Sequence, residues 1–234
     1  MMGFKFRGTH SSEFKGLIVK TVNNPLMPLK RIQKVNVMGH DGEYVFESGY
    51  NNKTLEFRCS LAKGTINERR QVARNIASWL SSEGDLVLDY ENDKTYKVVR
   101  TVSDVALALE KAWDEFSIIF ETEPFQYGEL KTMSFGNPTF FVINNEGTIE
   151  AETMISIEAT GNVTVAFGAS SFMLAEMTGK LNVDSKRMLI YTDDLVNGIS
   201  KHSGDFIRLK PGDNMINVTG SVPNITVKFH DTYI

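Results

Sequence analysis

TINERRQVARNIASWLSS, residues 65–82, decides how the rest of the chain is read. Val72, Ile76, Trp79 and Leu80 recur at helical spacing, so they share one face of a helix over Thr65 to Ser82. Thr65, followed three residues later by Glu68, fits a capping box: each side chain serves a backbone N–H that the first helical turn leaves unpaired. Gly84 supplies a stop. This is the single convincing helix of the chain, and it separates a mixed first half from an all-β second half.

Working outward toward the N-terminus, residues 4–60 read as strands and turns. Phe4 and Phe6 alternate with basic residues, and Leu17 and Val19 mark a second strand. Pro25 and Pro28 make NNPLMPLK a loop or a sheet edge, because proline cannot donate to a ladder. Val35 and Val37 lead into Gly39-His40-Asp41-Gly42, a turn that closes a hairpin onto Tyr44 and Phe46. Leu55, Phe57 and Cys59 alternate with Glu56, Arg58 and Ser60, the pattern of a half-buried strand. Cys59 is read there as a small buried hydrophobe.

Beyond the helix, LVLDY and TYKVVR flank Glu91-Asn92-Asp93-Lys94 and predict a hairpin. In SDVALALEKAWDEFSIIFET, Val105, Leu107 and Leu109 alternate, as do Phe116, Ile118 and Phe120, giving two strands with a turn near Glu110. A boundary falls between Pro124 and Pro138. After it, Ile149, Ala151, Thr153, Ile155, Ile157 and Ala159 line one face of a long strand, with Glu150, Glu152, Ser156 and Glu158 facing water. Gly161-Asn162 reads as a turn into Val163, Val165 and Phe167. Short strands follow at Leu181–Val183, Met188–Tyr191, Phe206–Leu209, Met215–Val218 and Ile225–Phe229, the signature of a sandwich of about a hundred residues.

The 234 residues, 41% of them apolar, suffice for one large domain or two ordinary ones. A net charge of −4, from 29 acidic against 25 basic residues, argues against specific nucleic-acid binding. One cysteine excludes an internal disulfide framework. No stretch reads as a signal peptide, and none approaches the roughly 20 apolar residues of a membrane span, so a soluble product with no membrane insertion is expected.

The chain offers little chemistry. His10, His40, His202 and His230 are scattered, and none stands at metal-ligand spacing from another ligand type. Nucleophile elbow, phosphate loop and dinucleotide fingerprint are absent. Glu150, Glu152 and Glu158 are solubilising rather than the carboxylate pair of a glycosidase; the adjacent Asp193-Asp194 offers no better pair, and Asp184 and Asp213 are turn formers. Both tryptophans, Trp79 and Trp113, lie in the first half, so the second half lacks the aromatic platform of a strong sugar site. No catalytic, cofactor-binding, metal or carbohydrate-binding residue is assigned, no cofactor is expected, and the chain is read as no enzyme.

Four stretches then carry a likeness in order and spacing. They are Phe4, Phe6, Gly8 and Ser12 leading to Phe14 and Val19; VNVMGHDGEY with Gly39, Asp41 and Gly42; Trp79-Leu80 through Gly84, Leu86, Asp89 and Tyr96; and, further on, Asn145, Gly147, Glu150 and Ala151, then Gly179, Leu181 and Asp184, then Leu209, Pro211, Gly212, Asn214 and Ile216. Together they resemble the distal tail proteins (Dit) of long, non-contractile-tailed bacteriophages, the siphovirus-type tail component family. The resemblance implies a mainly β fold: an N-terminal β-sandwich-like domain with one α-helix and a hairpin over residues 1–136, then a C-terminal galectin/CBM-like β-sandwich over 137–234. It implies a homo-hexameric ring, formed by the first domain, that joins the tail tube to the host-adsorption apparatus or baseplate. The implied partners are the major tail (tube) protein and tail-associated lysin, tail-fibre or receptor-binding proteins. The implied place is the tail tip of the virion, after assembly in the host bacterial cytoplasm.

A ring subunit must expose strand edges or arms to its neighbours, and pairing through main-chain bonds leaves no side-chain motif. A carbohydrate-binding module acting at the host surface is the alternative reading, and a glycosidase or lyase on a sandwich scaffold the weaker third.

Overall fold

The computed structural model describes residues 2–62, 64–102, 113–168 and 170–234. The helix α1 spans Ile66–Trp79, and its start is the one its sequence encodes. Thr65 is the N-cap, accepting from the Glu68 N–H, while Glu68 Oε2 accepts the Thr65 N–H at 2.7 Å. A cap of this kind contributes about 1 kcal/mol. Ile76 and Trp79 are buried and Val72 partly so. The helix stops short of Ser82. Leu80 is the C-cap and is buried, so the core rather than a glycine ends the helix. Gly84 instead opens the next strand, where a Cβ would meet Arg7 Cγ at 2.4 Å.

Strand makes up 65% and helix 9% of the structure, so the chain is mainly β. It divides into two compact units, Met1–Gln126 with Ile234, and Tyr127–Tyr233. The division lies between Pro124 and Pro138. The first unit holds β1 (Phe4–Phe6), β2 (Thr9–His10), β3 (Leu17–Asn23), β4 (Lys30–Val35), β5 (Tyr44–Tyr50), β6 (Lys53–Ala62), β7 (Gly84–Leu88), β8 (Glu91–Thr101) and the first part of β9 (Trp113–Gly136). Antiparallel ladders run β2–β1–β7–β8 and β3–β6–β9, and β8 lies beside β9, which joins the two runs; β4 and β5 form a separate antiparallel pair.

Its core is aromatic. Trp79 stacks on Phe4 at 5.5 Å and lies 4.6 Å from Phe14, and its indole N–H donates to the Phe6 carbonyl at 2.9 Å. Phe57 and Phe120 complete the cluster, so α1 braces the sheet through one large side chain. Cys59 is buried, and burial pushes its thiol up to about 12, consistent with an inert hydrophobe.

The predicted turn at Glu91–Lys94 is displaced. Leu88 pairs with Glu91, so the hairpin turns at Asp89–Tyr90 and Glu91–Lys94 belong to β8. That register sets the fully buried Tyr96 opposite Leu86. The strand read at Phe116, Ile118 and Phe120 is part of β9, with all three buried. The strand read at Val105, Leu107 and Leu109, and the turn near Glu110, lie outside the described residues.

The second unit continues from the later part of β9 through β10 (Phe140–Asn145), β11 (Ala151–Phe167), β12 (Ser170–Asp184), β13 (Leu189–Tyr191), β14 (His202–Gly204), β15 (Arg208–Leu209) and β16 (Gly212–Tyr233). Its antiparallel order is β13–β12–β11–β16–β10, with β14 beside β12 and β15 beside β11. Ala151, Thr153, Ile155, Ile157 and Ala159 are buried, as their alternation predicts. The strands are longer than predicted. Gly161-Asn162 is not a turn: β11 runs through it with a register shift, Gly161 taking a φ of 79°. Met215–Val218 and Ile225–Phe229 likewise belong to the single strand β16. There Gly220 (φ 117°) passes so close to Asn162 that a Cβ would sit 2.4 Å from its carbonyl oxygen. Bulges let one strand bend where the sequence pattern suggests two.

His202 is held in this unit between the rings of Phe172 and Phe206, at 5.6 and 4.9 Å. Its Nε2 is buried without a hydrogen-bond partner. Burial lowers its pKa below the ordinary 6.5, opposed by a backbone hydrogen bond to Asp205 and by the Asp205 charge. The folded state therefore prefers the neutral ring. This contribution is complete above the ordinary pKa and is lost as pH falls from there through the folded value. Thermal melts should show the wild type losing more stability than His202→Asn between about pH 8 and about pH 5; parallel curves would refute it.

Candidate functional site

The chain between β3 and β6 leaves the sheet. The β3–β6 ladder reaches Asn23 opposite Glu56, and beyond it, among the described residues, β4 and β5 pair only with each other. VNVMGHDGEY closes this hairpin as its turn predicts, with Val35 opposite Tyr44 and Gly39 and Gly42 at positive φ. NNPLMPLK forms the loop that leads into it.

Residues directly opposite one another in an antiparallel pair share a face. One face of this arm carries Gln33 with Phe46 and Val35 with Tyr44; the other carries Ile32 with Glu47 and Lys34 with Val45. The second face neutralises its own charges. Lys30 Nζ lies 2.6 Å from Glu47 Oε2, and Lys34 Nζ 2.8 Å from Glu43 Oε2. The hydrogen bond to Glu47, then the Glu47 charge, raises the Lys30 pKa. Exposed pairs of this kind are screened by water and add little, so they do not hold the arm in place.

The first face has no such compensation. Val35 is 37% exposed, Tyr44 47% and Phe46 54%, and the incoming loop adds Leu26 at 88% and Leu29 at 76%. An isolated two-stranded hairpin is marginally stable in water, and a contiguous exposed apolar surface marks an interaction site. Among the described residues, the arm is anchored only at its root. Tyr50 packs edge-on against Phe125 at 5.2 Å, and the Asn51 N–H donates to the Leu29 carbonyl at 2.8 Å. Asn24 Nδ2 and Gln126 Nε2 donate to the Tyr96 hydroxyl at 2.7 and 2.6 Å, and that hydroxyl donates to Glu91 Oε2 at 2.9 Å. Buried Lys53 places its ammonium 5.5 Å from the Tyr96 ring centroid. Burial lowers its pKa, with Glu91 opposing. Residues at both ends of the arm are thus tied to one polar network.

Among the described residues, the titratable groups offer no comparable site. Ser12 Oγ, His10 and Asp89 form a chain with contacts of 2.7 and 2.9 Å, the residue types of a nucleophile relay. Here, however, His10 Nδ1 also accepts the Ser12 N–H at 3.2 Å and Glu13 accepts the His10 N–H at 2.9 Å, so the imidazole caps the short 3-10 turn Ser11–Glu13. His40 lies against Tyr44 on the arm, and His230 meets the Gly128 carbonyl at 2.8 Å. Asp193 is held by Asn182 and Lys180, whose hydrogen bonds lower its pKa. Asp184 accepts the Lys186 and Arg187 N–H groups, a turn former as read. Among the described residues, no three His, Cys, Asp or Glu converge as metal ligands, and no helix is long and apolar enough to cross a membrane. Trp79 is core; the Trp113 side chain lies outside the described residues.

The arm was legible as a hairpin but not as a surface. Its alternation looks the same whether the apolar face meets its own core or another molecule.

Comparison with known proteins points to the same part of the chain. Residues 12–126 match the phage tail protein RIFT-related domain. No curated protein matches the chain. Over 100% of both chains, the fold matches the Dit (gp 19.1) protein of phage SPP1, described as a paradigm of the hub adsorption apparatus in phages infecting Gram-positive hosts, at TM-score 0.79 and 16% identity. A chain of the phage P2 baseplate in its activated conformation with Ca is similar at TM-score 0.45 and 10% identity, covering 98% of each. Residues 12–126 thus match the phage tail protein RIFT-related domain in sequence, and the whole chain has the fold of a distal tail protein.

Proposed function

We infer that this phage tail protein is the hub at the tail tip, six copies closing into a ring that joins the tail tube to the adsorption apparatus. The observation that carries the reading is the apolar arm, displayed by the unit whose sequence is a phage tail domain. An exposed hydrophobic strand pair is an aggregation hazard in a free monomer, and a closed ring removes the hazard by giving every arm a receiver. The first unit forms the ring, and the second is read as a galectin-like domain. The partners are the tail-tube protein on one side and tail-associated lysin, tail-fibre or receptor-binding proteins on the other. The ring is built in the host cytoplasm and ends up in the virion.

Light scattering on the purified full chain tests the stoichiometry. The expected mass is that of about six 26.3 kDa chains, or of two stacked rings. A monomer at every concentration and salt condition, including with the tail-tube protein added, would overturn the hub reading.

A further inference from the structure

The arm stands on two feet, and one tyrosine touches both. We propose that the Tyr96 hydroxyl is a releasable latch: it holds the incoming foot through Asn24 and so fixes the direction of the arm, while the outgoing foot at residues 50–53 serves as the hinge.

The outgoing foot is built into the sheet. Lys53 is the first residue of β6, lies opposite Thr122 and is buried, and its carbonyl accepts the Thr122 hydroxyl at 3.3 Å. Asn52 Nδ2 donates to Glu121 Oε1 at 2.8 Å, and Tyr50 meets Phe125. The incoming foot is tied differently. Among the described residues, the β3–β6 ladder ends at Asn23, Asn24 lies one residue past it, and Pro25 has no N–H with which to extend the pairing. Asn24 is held by its side-chain amide, which donates to the Tyr96 hydroxyl at 2.7 Å and to the Tyr90 hydroxyl at 3.3 Å.

Proton counting leaves one arrangement for this contact. An ionised carboxylate only accepts, so the phenol gives its single proton to Glu91 Oε2 at 2.9 Å. The same oxygen then accepts from both Asn24 Nδ2 and Gln126 Nε2, which uses up its lone pairs. Asn24 must therefore present its NH2 group to Tyr96. That turns its Oδ1 inward, where it is buried with no hydrogen-bond partner among the described residues.

This orphaned carbonyl is what makes the latch releasable. A buried acceptor without a donor opposes the latched position, and swinging the foot outward would hydrate it. Tyr96 itself is not the moving part. Its ring is fully buried opposite Leu86, with the Lys53 ammonium 5.5 Å from its centroid. A fixed phenol thus grips a foot that has a reason to let go.

The latch belongs to a single copy, so it stands or falls apart from the ring reading. Spin labels are placed on the full-length chain at Met38→Cys, on the exposed arm tip, and at Glu83→Cys, exposed after α1. Cys59 is buried and stays unlabelled. Tyr44→Ser and Phe46→Ser are present throughout, so that no other molecule holds the arm by its apolar face. Pulsed EPR should give one narrow distance distribution while Tyr96 and Asn24 are intact. Tyr96→Phe, which removes only the oxygen, and Asn24→Ala, which frees only the foot, should each widen it about twofold, whereas Gln126→Ala leaves it narrow. Equal widths in all of these proteins overturn the latch. Equal widening by Gln126→Ala overturns it too, because the network would then be a general support of the unit. If circular dichroism shows Tyr96→Phe unfolded, Asn24→Ala against Gln126→Ala decides alone. Light scattering on the unlabelled wild type reports copy number, so a failed ring and a failed latch appear in different measurements.

Discussion

Replacing Tyr44 and Phe46 together by serine is expected to leave the chain folded and monomeric. Both rings are about half exposed and, among the described residues, neither belongs to the core of its own unit, so the melting transition should barely move. In the proposed ring the exposed half of each side chain becomes buried, which contributes about 0.8–1.5 kcal/mol, half of a full burial. Their joint loss weakens every subunit contact by at least about tenfold in equilibrium constant. A closed ring contains one such contact per copy, so the effect on assembly is compounded. Circular dichroism melts and light scattering on the same sample separate the two consequences. Rings that persist at unchanged concentration would show that the arm is not the assembly surface. Lys34→Ala, on the self-neutralised face, is the matched control and should assemble normally.

Trp79→Ala is expected to cost the fold itself about 3–5 kcal/mol, against a total stability of about 5–15 kcal/mol for a domain. The indole touches Phe4, Phe6 and Phe14 and bonds the Phe6 carbonyl, so its removal opens a cavity between α1 and the sheet. The first turn of α1 is secured by its cap, but its last turn is held through Ile76, Trp79 and Leu80. Loss of the anchor should therefore loosen the helix end before the rest. Trp79→Phe separates the two contributions, keeping most of the buried area while losing the hydrogen bond, about 1 kcal/mol. Denaturant unfolding of the three proteins is the measurement. A Trp79→Ala protein as stable as the wild type would remove the helix from its role as the brace.

The helix was legible because its signals are local: a capping pair and an apolar stripe, all within one segment. Its end was not, because Leu80 is drawn into a core built from strands far away in sequence. The same contrast recurs in the second unit. The alternation at Ala151–Ala159 identified a one-sided strand, yet Gly161-Asn162 read as a turn, and Met215–Val218 and Ile225–Phe229 as two strands. A glycine permits both a turn and a bulge, and the neighbouring strand selects which one forms. At Asp89–Tyr90 the turn moved for a related reason: the register that buries Tyr96 overrode the more polar Glu91–Lys94.

Legible in the residues alone were the mainly β class, the single capped helix, the hairpin at Gly39–Gly42 and the match of residues 12–126 to a phage tail domain. Each of these follows from residue types at fixed short spacings. Only the tertiary structure decided that Val35, Tyr44 and Phe46 face away from their own core. An alternating pattern states that one face is apolar, but not what covers it, since burial is a property of whichever surface arrives from elsewhere.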